Sequence, residues 1–185
     1  EENRQADRFE QETLSNYVGW GGLSDVFDAN KQNWTEEYNE LKELLTDAEY
    51  KAARESVLNA HFTQPVIIES IYKALEQMGF RNGNVLEPSM GIGNFFGVMP
   101  ESMRGSKLYG VELDDISGRI ARQLYPDAEI QITGYENSGY PDDFFDVAVG
   151  NVPFGNYQIY DRRYERQHFM IHDYFLAKTL DQLRS

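Results

Sequence analysis

The chain has no cysteine, so disulfides and zinc–thiolate centres are excluded. Its three histidines (His61, His168 and His172) are too scattered to suggest a metal site, and His61 and His172 read as structural. No apolar run approaches the roughly 20 residues that span a bilayer, and no signal-peptide pattern heads the chain. A cytoplasmic location without a membrane partner is therefore expected. Basic residues are scarce as well, with 17 Lys and Arg against 31 Asp and Glu and a formal net charge of −14. Phosphate contacts dominate affinity for nucleic acid. Unaided DNA binding is thus disfavoured, unless another part of a parent protein carries the basic surface. Glu1-Glu2 at the start, with no Met, and an end just after a predicted helix fit such an excised piece.

What is present suits a folded protein. The chain has 185 residues, of which 41% are hydrophobic and 14% aromatic, enough for one sizeable core or a domain plus an arm. Residues 1–58 read as an acidic, mainly helical extension without chemistry of its own. Within it, Tyr17-Val18-Gly19-Trp20-Gly21-Gly22 is a tight turn docking an aromatic anchor, and Thr46-Asp47-Ala48-Glu49 is a capping box that opens a helix. Residues 59–185 form the core. Thr63 is placed to cap a helix beginning near Pro65, with Ile67, Ile68, Ile71, Leu75 and Met78 on one face and Gly79 as its stop.

From there strands and helices alternate. Val85-Leu86-Glu87 reads as a strand running into Pro88-Ser89-Met90-Gly91-Ile92-Gly93, a Gly-rich turn that lets a ligand approach the backbone. Lys107 to Glu112 is a second strand, ending in an acid 19 positions after Gly93 that can accept both hydroxyls of a ribose. A crossover helix over 117–124, a third strand over 128–132 and a fourth over 146–149 follow. The alternation predicts an α/β, Rossmann-like parallel sheet, doubly wound, with its strand ends on one rim. The fourth strand delivers Asn151-Val152-Pro153-Phe154 to that rim. An Asn carbonyl beside a backbone carbonyl gives two acceptors for one amino group, and Phe154 gives a platform for a base. The pattern points to methylation of an exocyclic amine. Between 155 and 168 runs a polar loop with Arg162, Arg163 and Arg166, the candidate phosphate contacts. A closing helix over 169–183 offers Ile171, Phe175, Leu176, Thr179 and Leu183 to the core.

Two ligands suit a Gly cradle followed by an acid. A dinucleotide asks for G-x-G-x-x-G, but here Phe96 holds the third glycine's place. Glu87 at the mouth of the cradle repels pyrophosphate and suits the sulfonium and ammonium of S-adenosylmethionine.

Four motifs in this order resemble those of the gamma-class N6-adenine DNA methyltransferases: His61-Phe62-Thr63-Gln64-Pro65, Leu86-Glu87-Pro88-Ser89-Met90-Gly91-Ile92-Gly93, Gly110-Val111-Glu112-Leu113-Asp114, and Asn151-Val152-Pro153-Phe154. The Trp-Gly-Gly arm and the Asn-Val-Pro-Phe-Gly wording are most similar to the very large methylase-helicase proteins of conjugative elements and phages. The resemblance implies that Phe62 and Thr63 contact the methionine end of S-adenosylmethionine. It also implies that Glu87, Pro88, Gly91 and Gly93 form the cradle, that Glu112 with Leu113 holds the ribose side, and that Asn151, Val152, Pro153 and Phe154 take a flipped adenine. It further implies DNA as partner, bound largely through regions outside this chain, and a fused helicase-like region in the parent. Two departures stand out. The tetrapeptide usually has two consecutive prolines, and Val152 occupies the first. The acid often found after the third strand has Glu136 as its best counterpart here. The same tetrapeptide also serves methylation of RNA or of protein glutamine, and a methyltransferase-like module that only binds is a further alternative. Only four strands are readable where the class has about seven, so an exposed sheet edge and little activity of the piece by itself are expected.

Overall fold

The computed structural model describes residues 4–21, 23–57 and 63–185. The expectations for His61 and Phe62 lie outside them. No described helix is long and apolar enough to cross a membrane, and no cluster of metal-ligating side chains occurs among the described residues.

The N-terminal part carries three helices, α1 (Arg8–Ser15), α2 (Thr35–Leu44) and α3 (Asp47–Ser56). Both α1 and α3 begin in full capping boxes, Asp7 with Glu10 and Thr46 with Glu49. Each box satisfies two amide donors that a helix start leaves open. None of these short polar helices would persist alone. They are held by a small cluster in which Phe27, Tyr50 and Ala53 are buried beneath Trp20, with Trp20 on Phe27 and Phe27 on Tyr50 as edge-to-face rings.

Next comes α4 (Pro65–Gln77), with proline in its first turn and Gln64 at its N-cap without a side-chain bond. Thr63 therefore does not cap it, contrary to expectation. The buried face is also rotated from the expected one: Ile68 and Tyr72 are buried, whereas Ile67 is 51% and Met78 82% exposed. A stripe through 68, 72 and 75 follows the helical repeat, and Ile67 lies about 100° off it.

The core is a four-stranded parallel sheet in the order β3-β2-β1-β4. Its strands are β1 (Asn84–Glu87), β2 (Lys107–Glu112), β3 (Glu129–Ile132) and β4 (Val147–Ala148). Between them run α5 (Asn94–Gly97) and α6 (Asp115–Leu124), and α7 (Ile171–Gln182) follows. Leu86 sits opposite Tyr109 on one side and Ala148 on the other, so β1 is central. Strand alternation sends neighbouring residues to opposite layers. Val85 joins Ile68 and Tyr72 of α4, while Leu86 joins Tyr174 and Phe175 of α7. Helices thus cover both faces, as a parallel sheet requires. β4 is shorter than the expected 146–149, because beyond Ala148 only Val149 still donates to the Leu86 carbonyl. On its outer side Phe145 bridges Leu183 in parallel, and the Arg184 amide donates to the Phe145 carbonyl.

The layer under α7 is built from aromatic rings. Phe145, fully buried, contacts Tyr109, Tyr140 and Phe144 edge-to-face at centroid distances of 5.0–5.4 Å. Phe145→Ala is expected to cost about 3–5 kcal/mol, lowering Tm by roughly 10 °C or more. A thermal melt followed by circular dichroism checks it.

The inner face of α7 differs from the expected apolar stripe. Leu176 is 54% exposed, and Lys178 and Gln182 are buried in its place. Both are satisfied. Lys178 Nζ donates to the Tyr135 carbonyl at 2.6 Å and lies 3.6 Å from Asp161. Gln182 Oε1 accepts from the Tyr135 hydroxyl at 2.6 Å, and its amide donates to the Tyr140 carbonyl. Burial pushes the Lys178 pKa down, against the pull of Asp161. Asp161 also accepts from the Tyr174 hydroxyl at 2.7 Å. This network ties the polar loop after the tetrapeptide to the closing helix and to the end of β3.

Candidate functional site

All four strands point their carboxyl ends the same way, and a cavity of about 500 Å³ opens there. Sites of this size at such strand ends hold small molecules. β1 delivers Glu87 to it, buried, with Oε2 lacking any hydrogen-bond partner among the described residues. Burial, and then the charge of Glu112, pushes its pKa well up. Leaving a buried acceptor unpaired costs about 1–3 kcal/mol, so Glu87 is strained in favour of a ligand that brings a donor or a positive charge.

β2 delivers Glu112. Its two oxygens accept from the backbone amides of Gly91 at 2.7 Å and Asp114 at 2.8 Å. Burial raises the Glu112 pKa and these amides oppose the rise. The carboxylate thereby closes the cradle, lashing the end of β2 to the turn after β1. Each oxygen keeps a second lone pair for a hydroxyl donor. Gly91 lines the cavity, at φ +56°. Gly93 does not line it. It sits behind the turn at φ +85°, and a Cβ there would meet the Tyr125 ring at 2.6 Å. Gly93 thus shapes the turn from behind the cavity wall.

β4 leads into Asn151, Val152, Pro153 and Phe154, all lining the same cavity. Val152 is anchored against the aromatic core. Phe154 is 68% exposed and stacks on His172, the second residue of α7, with centroids 6.0 Å apart and planes at 29°. Thr63, Pro88 and Leu113 also line the space, and Leu113 is 77% exposed.

Two expectations fare otherwise, those for Glu136 and Arg163. Glu136 is not part of the cavity wall. It lies in a short 3-10 turn after β3, where its carboxylate accepts from Asn137. Arg163 is engaged elsewhere, paired with Asp142 at 2.6 Å and Asp181 at 2.9 Å, so it braces the loop against α7. Arg162 and Arg166 are exposed on the surface of the same loop.

The sequence reading missed the part played by the N-terminal extension. Tyr17 and Gly19 from the Trp-Gly turn, and Ala52 from α3, line the cavity beside Asp114 and Ser117. The phenol of Tyr17 is pushed up to about 12 by burial and by the Asp114 carboxylate. The extension is held there through α6. The Ala6 amide donates to Gln123 Oε1 at 2.6 Å, and the Gln11 side chain donates to the Gln123 carbonyl at 3.0 Å. Glu49 of α3 pairs with Arg119 at 2.8 Å. The aromatic Tyr17 just ahead of the Gly-Trp turn was the available signal.

With this geometry in view, comparisons place the fold. The modification subunit of a candidate type I restriction enzyme from Vibrio vulnificus superposes with a TM-score of 0.52 at 16% identity, over 80% of this chain and 36% of that one. A candidate RNA methyltransferase from Pyrococcus horikoshii superposes with a TM-score of 0.51 at 12% identity, over 96% of this chain and 70% of that one. The fold is the Rossmann-like fold of methyltransferases. In sequence, the chain is 33% identical over 132 residues to the defense against restriction protein B of Escherichia phage P1. The match covers 69% of this chain but spans only 6% of the phage protein. No protein-family model matches the chain.

Proposed function

We propose that this methyltransferase-fold chain binds S-adenosylmethionine and transfers its methyl group to the N6 amine of adenine in DNA. The observation that carries the reading is the meeting, in one cavity, of Glu87, Glu112 and Asn151-Val152-Pro153-Phe154 from three adjacent strand ends.

The residues fit the cofactor. Glu87 Oε2, which has no partner among the described residues, asks for a donor or a positive charge, which a dinucleotide pyrophosphate cannot supply and a sulfonium with an ammonium can. Glu112 would take the ribose hydroxyls, Gly91 allows the close backbone approach, and Leu113 offers an apolar face. When bound, S-adenosylmethionine supplies an electrophilic methyl whose C–S bond breaks as the amine forms its new C–N bond and sheds a proton to water.

The chain's own contribution is to position and polarise. The adenine amine is a poor nucleophile because its lone pair is delocalised into the ring. Asn151 Oδ1 and the Val152 carbonyl would each accept one N–H, which favours a tetrahedral nitrogen and offsets the charge it gains. Pro153 biases Val152 toward extended backbone. Phe154 would stack on a base turned out of the helix and fix the angle of attack. Its ring is already braced from one side by His172. The chain's acidity supports a division of labour in which phosphate contacts are made by other parts of a larger protein.

Calorimetry with S-adenosylmethionine tests the first half, and a saturable one-to-one complex is the expected result. Transfer of labelled methyl is then compared on adenine-containing DNA, on RNA and on a glutamine peptide. Absence of cofactor binding would remove the reading, and label confined to RNA or peptide would redirect it.

A further inference from the structure

Two polar atoms on the wall of this cavity lack a partner of their own. Asp114 caps α6 with Oδ2, which accepts from the Ser117 amide at 2.8 Å, while its Oδ1 is buried with no hydrogen bond among the described residues. The Tyr17 hydroxyl, reaching in from the extension, is buried without a hydrogen bond of good geometry, the Ser117 side chain and the Trp20 indole standing next to it. The two groups are near enough for the Asp114 charge to act on the phenol. Between Glu112 and Asp114 projects Leu113, an exposed apolar side chain on the same wall. The constellation is an apolar platform flanked by one carboxylate acceptor and one hydroxyl donor.

We propose that Tyr17 and Asp114 read the base of the cofactor, Asp114 Oδ1 accepting from the exocyclic amine of adenine and the Tyr17 hydroxyl donating to the adjacent ring nitrogen. The inference rests on the S-adenosylmethionine reading above and adds to it a specificity pair, half of which comes from outside the sheet. The edge of adenine shows a donor beside an acceptor, the complement of what the wall offers. Hypoxanthine shows the reverse, a carbonyl beside a ring N–H, and would set its carbonyl against the Asp114 carboxylate, acceptor facing acceptor. Rejection is strong where buried polar groups are left unpaired. Glu136, the counterpart of the acid often found after the third strand, does not line the cavity.

The test measures calorimetric affinities for S-adenosylhomocysteine and S-inosylhomocysteine on the wild type, Tyr17→Phe and Asp114→Asn. Both substitutions are nearly isosteric, and Asn caps helices as well as Asp. Unchanged far-ultraviolet dichroism and Tm show that the variants are folded. The wild type is expected to prefer the adenosyl compound by tenfold or more. Tyr17→Phe should weaken the adenosyl compound about tenfold. Asp114→Asn should narrow the preference to within about threefold. Equal wild-type affinity for both compounds, or variants that bind like wild type, overturns the pair while leaving the cofactor reading intact. A wild type that binds neither compound overturns both.

Discussion

Asn151→Ala is expected to lower methyl transfer by 100-fold or more while changing affinity for S-adenosylmethionine by less than about threefold. The reason is differential: in the proposed reading the Asn151 carbonyl would meet the target amine, whose positive charge grows only as the bond forms, while the donor site would be built by the other strand ends. Removing one preorganised polar group aimed at developing charge costs about 10²–10³ in rate in comparable sites, and the loss falls on turnover and not on ground-state binding. Single-turnover transfer on adenine-containing DNA, paired with calorimetry, reads the two quantities separately. Equal N6-methyladenine from both proteins would sink the assignment.

Glu87→Gln is expected to stabilise the ligand-free protein and weaken the cofactor complex. The buried Glu87 has its pKa raised well above 4.5, so the folded state holds a proton that the unfolded chain gives up first. The stability tied to the neutral acid is complete below 4.5 and is lost as pH climbs from there through the folded-state value. Glu112 adds to the same slope, since its pKa is raised too. A neutral amide at 87 removes the larger part of that slope. At pH 7.5 the variant should be the more stable protein, with the higher Tm. It should also bind the cationic cofactor about tenfold more weakly. Melting curves from pH 4 to 8 check the first claim and calorimetry the second. A variant that melts lower at pH 7.5 would contradict the burial argument.

Much of this molecule could be read from the chain in advance, wherever the determinant is local. β2 runs from Lys107 to Glu112 as expected, because an apolar run ending in an acid and a cap leaves little choice. The Thr46–Glu49 capping box and the stop at Gly79, at φ +92°, are set within a few residues. The parallel order follows from strand–helix alternation. What escaped depends on contacts distant in sequence. Lys178 and Gln182 are buried because Tyr135, Tyr140 and Asp161 satisfy them, and no periodicity announces such partners. Ile67 is exposed because the phase of α4 is fixed by the sheet it covers. Tyr17 enters the cavity through contacts spanning about a hundred residues, such as Gln11 with Gln123. Glu136 lies in the short turn that follows β3 and does not line the cavity.

Two of the extension's polar ties to the core fall on one line of α6. Arg119 and Gln123 are four residues apart and therefore on one face of the helix. If Tyr17 contributes to ligand binding only while that line is engaged, occupancy of the cavity and closure of the extension are two descriptions of one equilibrium. The factor by which closure tightens binding must equal the factor by which bound ligand favours closure. The cavity would then act as a lock on residues 4–57, with protease resistance along that segment rising in step with ligand concentration.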